Sequence, residues 1–357
     1  MIRHEYLKFF SLSKISPKNK HFEWNQNAGG GLMERKTSNN GSPAGLFPGY
    51  KNSLYIFSPV MKILITGSNG LLGQHLISQL AALQHEVIAT GRGVPRFAPD
   101  QAVRYEDLDI TNFRRMAAFI QSESPEVLLH SAAMTQVDEC ELNREKCRRV
   151  NVQSTENLLE AAAPCGTHFV FLSTDFVFDG IKGNYREEDA VGPVNWYGET
   201  KVLSEERVKN YPANWSIART CLLYGVSRGS SRSNIISWIR SSLEKGERIR
   251  VVNDQVRTPT DVNDFATGLR LIIEQKASGL FHISGRERMT PYQLALETAG
   301  HFSLDKTLIE EVNADSFSQA GQRPLKTGFI IEKAEKVLGF SPVPLKTGLA
   351  NMAFRKG

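Results

Sequence analysis

Two residues four apart carry the first chemistry in this chain: Tyr197 and Lys201, in the run Tyr197-Gly198-Glu199-Thr200-Lys201. On a helix, positions i and i+4 share a face, so the phenol and the ammonium enter the same space. A phenol with a pKa of about 10 is a poor acid–base catalyst at neutral pH. A neighbouring ammonium favours its ionised form and moves it toward the working range. Such a pair calls for a hydroxyl that hydrogen-bonds the reacting carbonyl. Thr174 supplies one, directly after the apolar run His168-Phe169-Val170-Phe171-Leu172-Ser173. Tyr-x-x-x-Lys alone recurs by chance, so its meaning depends on the elements that precede it.

Those elements begin abruptly at Met61. Lys62-Ile63-Leu64-Ile65-Thr66 reads as a short buried strand, followed at once by Gly67-Ser68-Asn69-Gly70-Leu71-Leu72-Gly73. A helical pattern through Leu76, Leu80 and Leu83 comes next, and Val87-Ile88-Ala89-Thr90 is a second strand. Strand, glycine turn, helix and strand in this order are the context that a dinucleotide fingerprint requires, although the spacing is GxxGxxG rather than GxGxxG. Gly67 suits the tight turn, Gly70 lets the backbone approach a pyrophosphate, and Gly73 permits close helix–strand packing. The helix N-terminus then offers N–H groups and a positive dipole end to phosphates. After the second strand the chain reads Thr90-Gly91-Arg92, with no carboxylate for a ribose 2′-hydroxyl. NADP(H) is therefore the expected cofactor and NAD(H) the alternative, Arg92 being otherwise a solvated charge.

The rhythm continues. Asp107-Leu108-Asp109-Ile110 is an expected adenine-edge loop, and Val127-Leu128-Leu129-His130 is a buried strand. Ser131-Ala132-Ala133 is small enough for a cofactor to lie across. The expected fold class is α/β, a doubly wound parallel Rossmann sheet with ligands at the strands' C-terminal ends and a smaller mixed α/β C-terminal substrate domain. The expected division is 1–60 as a disordered extension upstream of a start at Met61, 61–225 as the NAD(P)-binding domain, and 226–357 as the substrate-binding part with some chain returning to the Rossmann domain. Asn234–Leu243 reads as a helix whose Ile235, Ile236, Ile239 and Leu243 serve the core. Arg248, Arg250, Arg257 and Arg286 could meet a diphosphate or stand as solvated surface charges.

Composition narrows the function classes. Of the 357 residues, 41% are hydrophobic and 23% charged, which excludes wholesale disorder. The net charge of +5 is carried by residues 1–60, with eight Lys/Arg against three Asp/Glu; residues 61–357 hold 35 of each. A neutral body with a basic tail is not a nucleic-acid reader. No apolar run is long enough for a membrane span. Cys140, Cys147, Cys165 and Cys221 show no CxxC spacing and no histidine at ligand spacing, so inert thiols in a reducing cytoplasm are expected, with no metal site.

Taken in order, the motifs resemble those of the extended short-chain dehydrogenase/reductase superfamily, and more closely the dTDP-4-dehydrorhamnose reductase family. The likeness runs from about Met61 to Leu338. Thr66 through Gly73 resembles the cofactor turn, Ala132-Ala133-Met134-Thr135-Gln136-Val137-Asp138 the AAxTxVD stretch, and Ser173-Thr174-Asp175-Phe176-Val177-Phe178-Asp179-Gly180 the STDYVFDG stretch. Asn195 through Lys201 matches NxYGxTK, and Asn151 the family's helix asparagine. Arg219 through Gly225, Asp254 through Thr260, and Arg323-Pro324 with Thr327 follow in family order.

The resemblance implies Tyr197 as proton donor, Lys201 as the residue that lowers its pKa and holds the nicotinamide ribose, and Thr174 as the carbonyl polariser. It implies cofactor contacts from Gly67, Asn69, Gly70, Leu71, Leu72, Gly73, Arg92, Asp109, Ile110, Ala132, Ala133, Met134, Thr135, Asn151 and Ser173, and substrate contacts from Thr174, Asp175, Leu222 and Arg257. The implied reaction passes hydride from NADPH to the C4 ketone of a nucleotide-linked 4-keto-6-deoxy sugar; a homodimer is compatible. Four positions depart from the pattern: Phe176 for tyrosine, Leu222 for an aromatic, Arg257 for glycine and His75 for glutamate. None replaces Thr174, Tyr197 or Lys201. A dehydratase is disfavoured because Phe176 stands where its general base belongs, and an epimerase because the acidic ribose ligand is missing. The alternatives are a reductase or epimerase of another sugar nucleotide and, outside enzymes, a cofactor-binding regulatory subunit similar to the methionine adenosyltransferase β subunits.

Overall fold

The computed structural model describes residues 60–98, 100, 102–227 and 234–353. The expectation for residues 1–60 therefore lies outside the described residues, Val60 apart. Chain order in the first half is β1 (Lys62–Thr66), α1 (Leu71–Ala82), β2 (Glu86–Gly91), β3 (Val103–Asp107), α2 (Phe113–Glu123), β4 (Val127–His130), α3 (Val137–Leu142), α4 (Arg144–Arg148), α5 (Ser154–Ala162), β5 (His168–Thr174), α6 (Trp196–Lys209) and β6 (Trp215–Thr220). The second half contributes β7 (Leu223–Tyr224), α7 (Ile235–Glu244), β8 (Ile249–Val252), β9 (Thr260–Asp261), α8 (Val262–Glu274), β10 (Gly279–His282), α9 (Pro291–His301), β11 (Ile309–Val312), α10 (Glu332–Leu338) and α11 (Leu345–Ala353).

Seven strands form one sheet in the order β10-β6-β5-β4-β1-β2-β3, every pair parallel. This is the doubly wound sheet expected from the alternation of strands and helices. The central strands β1, β4 and β5 are buried on both faces, which is why they read as continuous apolar runs, whereas edge strand β3 (Val103–Asp107) is partly exposed along its length. Alternate residues feed opposite cores. Ile63, Ile65, Val87, Ala89, Leu129 and Val170 join Leu76, Leu80, Phe265 and Leu269 on one side. Leu64, Ile88, Leu128, Phe169 and Phe171 meet Met116, Ile120, Leu158 and Leu159 on the other. The order changes direction between β1 and β4, where a crevice forms at the strands' C-terminal ends.

Beyond residue 225 the chain does two things. α7, α9 and the parallel pair β8–β11 enclose a small core of Ile239, Leu243, Ile249, Val251 and Ala295. Helix α7 covers the region read from its apolar spacing, with Ile236, Ile239 and Leu243 buried. The chain also returns to the large sheet: β10 pairs with β6, while Phe265 and Leu269 of α8 and Ala334 and Leu338 of α10 enter the first core. No helix among the described residues is long and apolar enough to cross a membrane.

One buried ion pair locks α6 to the sheet. Arg219 on β6 donates from Nε to Glu205 Oε1 at 2.8 Å and from Nη2 to Oε2 at 2.6 Å, both side chains 1% exposed. Removing one partner strands the other charge in the interior. Glu205→Ala is expected to cost about 3–5 kcal/mol in denaturant unfolding, and the paired Glu205→Leu/Arg219→Met change to recover most of that loss. A single variant as stable as the parent would show that the pair does not hold the helix.

Candidate functional site

The glycine turn is built for close approach. Gly67 has φ +75°, and a Cβ there would lie 2.8 Å from Ala132 N. A Cβ on Gly73 would lie 2.6 Å from both Gly67 O and Ser68 Cα, so this position must be bare for the turn to close under α1. The N-cap of α1 is Gly70, with no side-chain cap and no acidic residue in the first turn, leaving the positive end of the helix facing the crevice. Ser68 Oγ and Ser173 Oγ are buried with no hydrogen-bond partner among the described residues. Bare backbone, an uncapped helix end and orphaned hydroxyls fit a bound dinucleotide.

Asn69 is largely occupied within the protein. Its Nδ2 donates to Arg92 O, Val94 O and Tyr105 Oη, each at 3.1 Å, and its Oδ1 accepts from Arg96 N at 2.9 Å. It thereby shapes the loop after β2, while Arg92 itself is exposed and 3.8 Å from Asp109. Asp109 accepts from Thr111 N and Oγ1, which holds the carboxyl below its usual range against the opposing effect of burial. Ile110 is buried beside it, as are Leu72 and Met134; Leu71, Ala132 and Ala133 are half-buried and Thr135 is exposed.

Asn151 sits in a π-helical turn (Arg149–Gln153) between α4 and α5. Its Oδ1 accepts from Met134 N at 2.8 Å, and its Nδ2 reaches Met134 O and Thr200 Oγ1, both at 3.0 Å. The side chain thus braces the Ala132–Thr135 stretch against α6; π-turns often mark functional sites for this kind of reason.

Tyr197 and Thr174 meet at the end of β5, and Lys201, one turn along α6, lies over Phe171 of the same strand. Asn195 caps α6 by accepting from Gly198 N at 2.8 Å. Gly198 must lack a side chain because a Cβ would overlap Phe176 O, and this contact brings the first turn of α6 against Thr174 and the short 3-10 turn (Asp175–Val177). Burial pushes the Tyr197 phenol well above its ordinary pKa; the facing Thr174 hydroxyl draws it back, and the charge of Asp175 pushes it up. Lys201 is 5% exposed, its ammonium 4.0 Å from the Phe171 ring centroid. Burial lowers its pKa to about 7, with Glu205 and then Cys147 pulling it back up. Burial thus works against charge on both side chains, and it is burial of the phenol that holds Tyr197 as an acid.

The positions matched to substrate contacts divide. Leu222 is half-buried at φ +43°, a strained backbone for a leucine. Asp175 and Arg257 are 4% exposed and face each other, Oδ2 to Nε 3.5 Å. Arg250 and Arg286 lie in surface ion pairs with Glu310 and Glu335. The four cysteines are free, three of them buried, and among the described residues no cluster could hold a metal.

Two contributors escaped the sequence reading. Glu205 completes the stripe Tyr197–Lys201–Glu205 at helical spacing, a signal that was present. Asp138 grips Arg323 at 2.6 and 2.7 Å and is held at a pKa of about 2, chiefly by those hydrogen bonds.

Comparison of the whole chain decides the lineage. Residues 61–356 match the family described as the RmlD substrate binding domain. The chain belongs to that family. It is 30% identical over 296 residues to methionine adenosyltransferase 2 subunit beta of Xenopus laevis, covering 82% of this chain and 86% of that one. It is 28% identical to the "Probable low-salt glycan biosynthesis reductase Agl14" of Haloferax volcanii, covering 81% and 96%. The structure of dTDP-4-dehydrorhamnose reductase from Bacillus anthracis in complex with NADP aligns with a TM-score of 0.73 at 26% identity, covering 84% and 100%. The RmlD family and its reductases support an oxidoreductase in general terms.

Within the RmlD-type site, Lys201 makes stability pH-dependent. The folded lysine binds its proton more weakly than the unfolded one, whose value is 10.5. Unfolding therefore takes up a proton below that value, and stability falls as pH drops from 10.5 toward about 7. Lys201→Met should unfold at a higher temperature than the parent at neutral pH, with the gap narrowing as pH rises. An equal gap at all pH values would disprove the depressed pKa.

Proposed function

We propose that this chain is an NADPH-dependent reductase of a nucleotide-linked 4-keto-6-deoxy sugar, similar to dTDP-4-dehydrorhamnose reductase. The observation that supports the reading is the approach of Tyr197 to Thr174 at the C-terminal end of β5, with Lys201 one turn along α6 over Phe171, in a sheet where α1 has an uncapped N-terminus. The family and the NADP complex of the Bacillus anthracis reductase support it. In this reading residues 61–225 hold the cofactor and 226–357 the sugar nucleotide, with α8, β10 and α10 serving the first part.

When bound, NADPH supplies the hydride. Gly67, Gly70 and Gly73 admit its diphosphate, Arg92 stands on the adenosine side, and Lys201 holds the nicotinamide ribose. Thr174 gives its one proton to Asp175 Oδ1 and so would orient the Tyr197 phenol through its lone pairs instead of polarising the ketone as the resemblance implies. Tyr197, kept protonated by burial, delivers its proton to that oxygen, so the carbonyl becomes an alcohol and the phenol a phenolate. The buried free thiols suit a reducing cytoplasm.

A second reading, a cofactor-binding regulatory subunit, is favoured by the 30% identity to methionine adenosyltransferase 2 subunit beta. NADPH and NADH titration, followed by addition of dTDP-4-keto-6-deoxyhexose with absorbance at the nicotinamide band, separates the two. Oxidation of NADPH establishes the reductase; tight cofactor binding without oxidation moves the balance to the subunit. Tyr197→Phe should keep NADPH affinity within about twofold while lowering turnover by about a hundredfold or more. Unchanged turnover would show that the phenol is not the acid.

A further inference from the structure

Arg257 stands where the RmlD-type pattern has glycine, and the resemblance alone would make it a substrate ligand. Its surroundings leave it no reach for that. Nη1 donates to Val256 O at 2.9 Å and Leu325 O at 3.0 Å; Nη2 donates to Pro324 O at 2.6 Å and Gln255 Oε1 at 3.3 Å. Nε faces Asp175 Oδ2 at 3.5 Å. A guanidinium has five N–H donors; four are bonded inside the protein and the fifth points at a carboxylate. At 4% exposure the side chain is a buried bracket.

What the bracket holds is the chemistry. Asp175 Oδ2 also accepts from Cys221 Sγ at 3.3 Å and from Thr327 Oγ1. That leaves Oδ1 for Thr174, whose hydroxyl donates to it at 3.1 Å. The single Thr174 proton being so directed, the oxygen presents lone pairs elsewhere; Phe176 N donates to it at 3.3 Å, and the Tyr197 phenol faces it. The same guanidinium lies 5.6 Å from the Phe176 ring centroid, and that ring meets Tyr197 edge-on at 5.9 Å. Arg257 therefore stands behind both hydroxyls, through Asp175 to Thr174 and through Phe176 to Tyr197.

We propose that Arg257, with Asp175 and Thr327, forms a positioning unit that acts through Thr174 and Tyr197 and does not contact the sugar nucleotide. The proposal rests on the reductase reading and specifies which residues of that site bind substrate and which orient the reacting groups. It also accounts for Phe176: an aromatic without a hydroxyl can lie under a guanidinium and against the phenol without competing for the Thr174 proton.

A split between kcat and KM reads the difference, because misplacing reacting groups slows chemistry whereas losing a substrate contact weakens binding. Arg257→Lys and Thr327→Val are measured with NADPH and dTDP-4-keto-6-deoxyhexose, with NADPH affinity and thermal unfolding as controls. The expected result is a fall in kcat of about ten- to a hundredfold with KM within about twofold. The Thr327→Val effect should also disappear in a Thr174→Val background, since both act through one hydroxyl. A raised KM with kcat retained, or effects that simply multiply, overturns the proposal. Should Arg257→Lys fail to fold, Thr327→Val alone decides, as it removes one donor to Asp175 and leaves the bracket intact. Absence of turnover by the parent protein is read before any variant and overturns the reductase reading together with this one.

Discussion

Helix α6 enters the interior carrying an amine and a carboxylate one turn apart, Lys201 and Glu205, and the guanidinium of Arg219 on β6 holds the carboxylate in place. Burial lowers Lys201 to about 7, and the charge of Glu205 is the larger of the two influences that oppose it. Arg219 takes both oxygens of Glu205. The same bond fixes the rotation and height of α6 over the sheet. Tyr197, two turns toward the N-terminus, then arrives opposite Thr174, where Gly198 lets the helix start touch Phe176 O. Glu205 thus serves twice, in placing α6 on the sheet and in opposing the loss of charge on Lys201.

The C-terminal part is tied across the site by residues that meet early motifs. Arg323 is gripped by Asp138, Gln322 O accepts from Asn195, and Lys326 N donates to Gly180 O. Thr327 closes on Asp175. Segments that look like separate signatures along the chain, the Asp138 stretch and the Arg323-Pro324 stretch, are the two halves of one ion pair. Such pairs hold the segment before α10 against α3, the Asp175–Val177 turn and the start of α6.

Much of this was legible beforehand. The strands carry apolar residues on both faces and the glycines stand in a strand–turn–helix context, so local pattern alone implies the sheet, its direction and the placing of α1. The Tyr197–Lys201 pair follows from helical spacing. Other features depend on partners distant in sequence. Nothing near Arg257 announces that Pro324 and Leu325, 67 and 68 residues on, will present carbonyls to it. Likewise the spacing suggested a fully charged Lys201; only burial at 5% exposure reveals how weakly it holds its proton. Asn69 read as a cofactor contact, yet its amide is engaged by the loop after β2, whose shape local propensity does not specify.

The π-helical turn at Arg149–Gln153 has a consequence for how this protein can change over evolutionary time. It holds one residue more than a regular turn, and that surplus aims Asn151 at Met134 and Thr200. Deleting a single residue would let the turn rewind as regular helix with α5 still in register, so Leu158 and Leu159 would keep their places in the core. Asn151 would lose its aim at Met134 and Thr200, and with it the brace between the Ala132–Thr135 stretch and α6. The surplus residue therefore serves the site and not the scaffold: the fold survives without it, and the bracing does not.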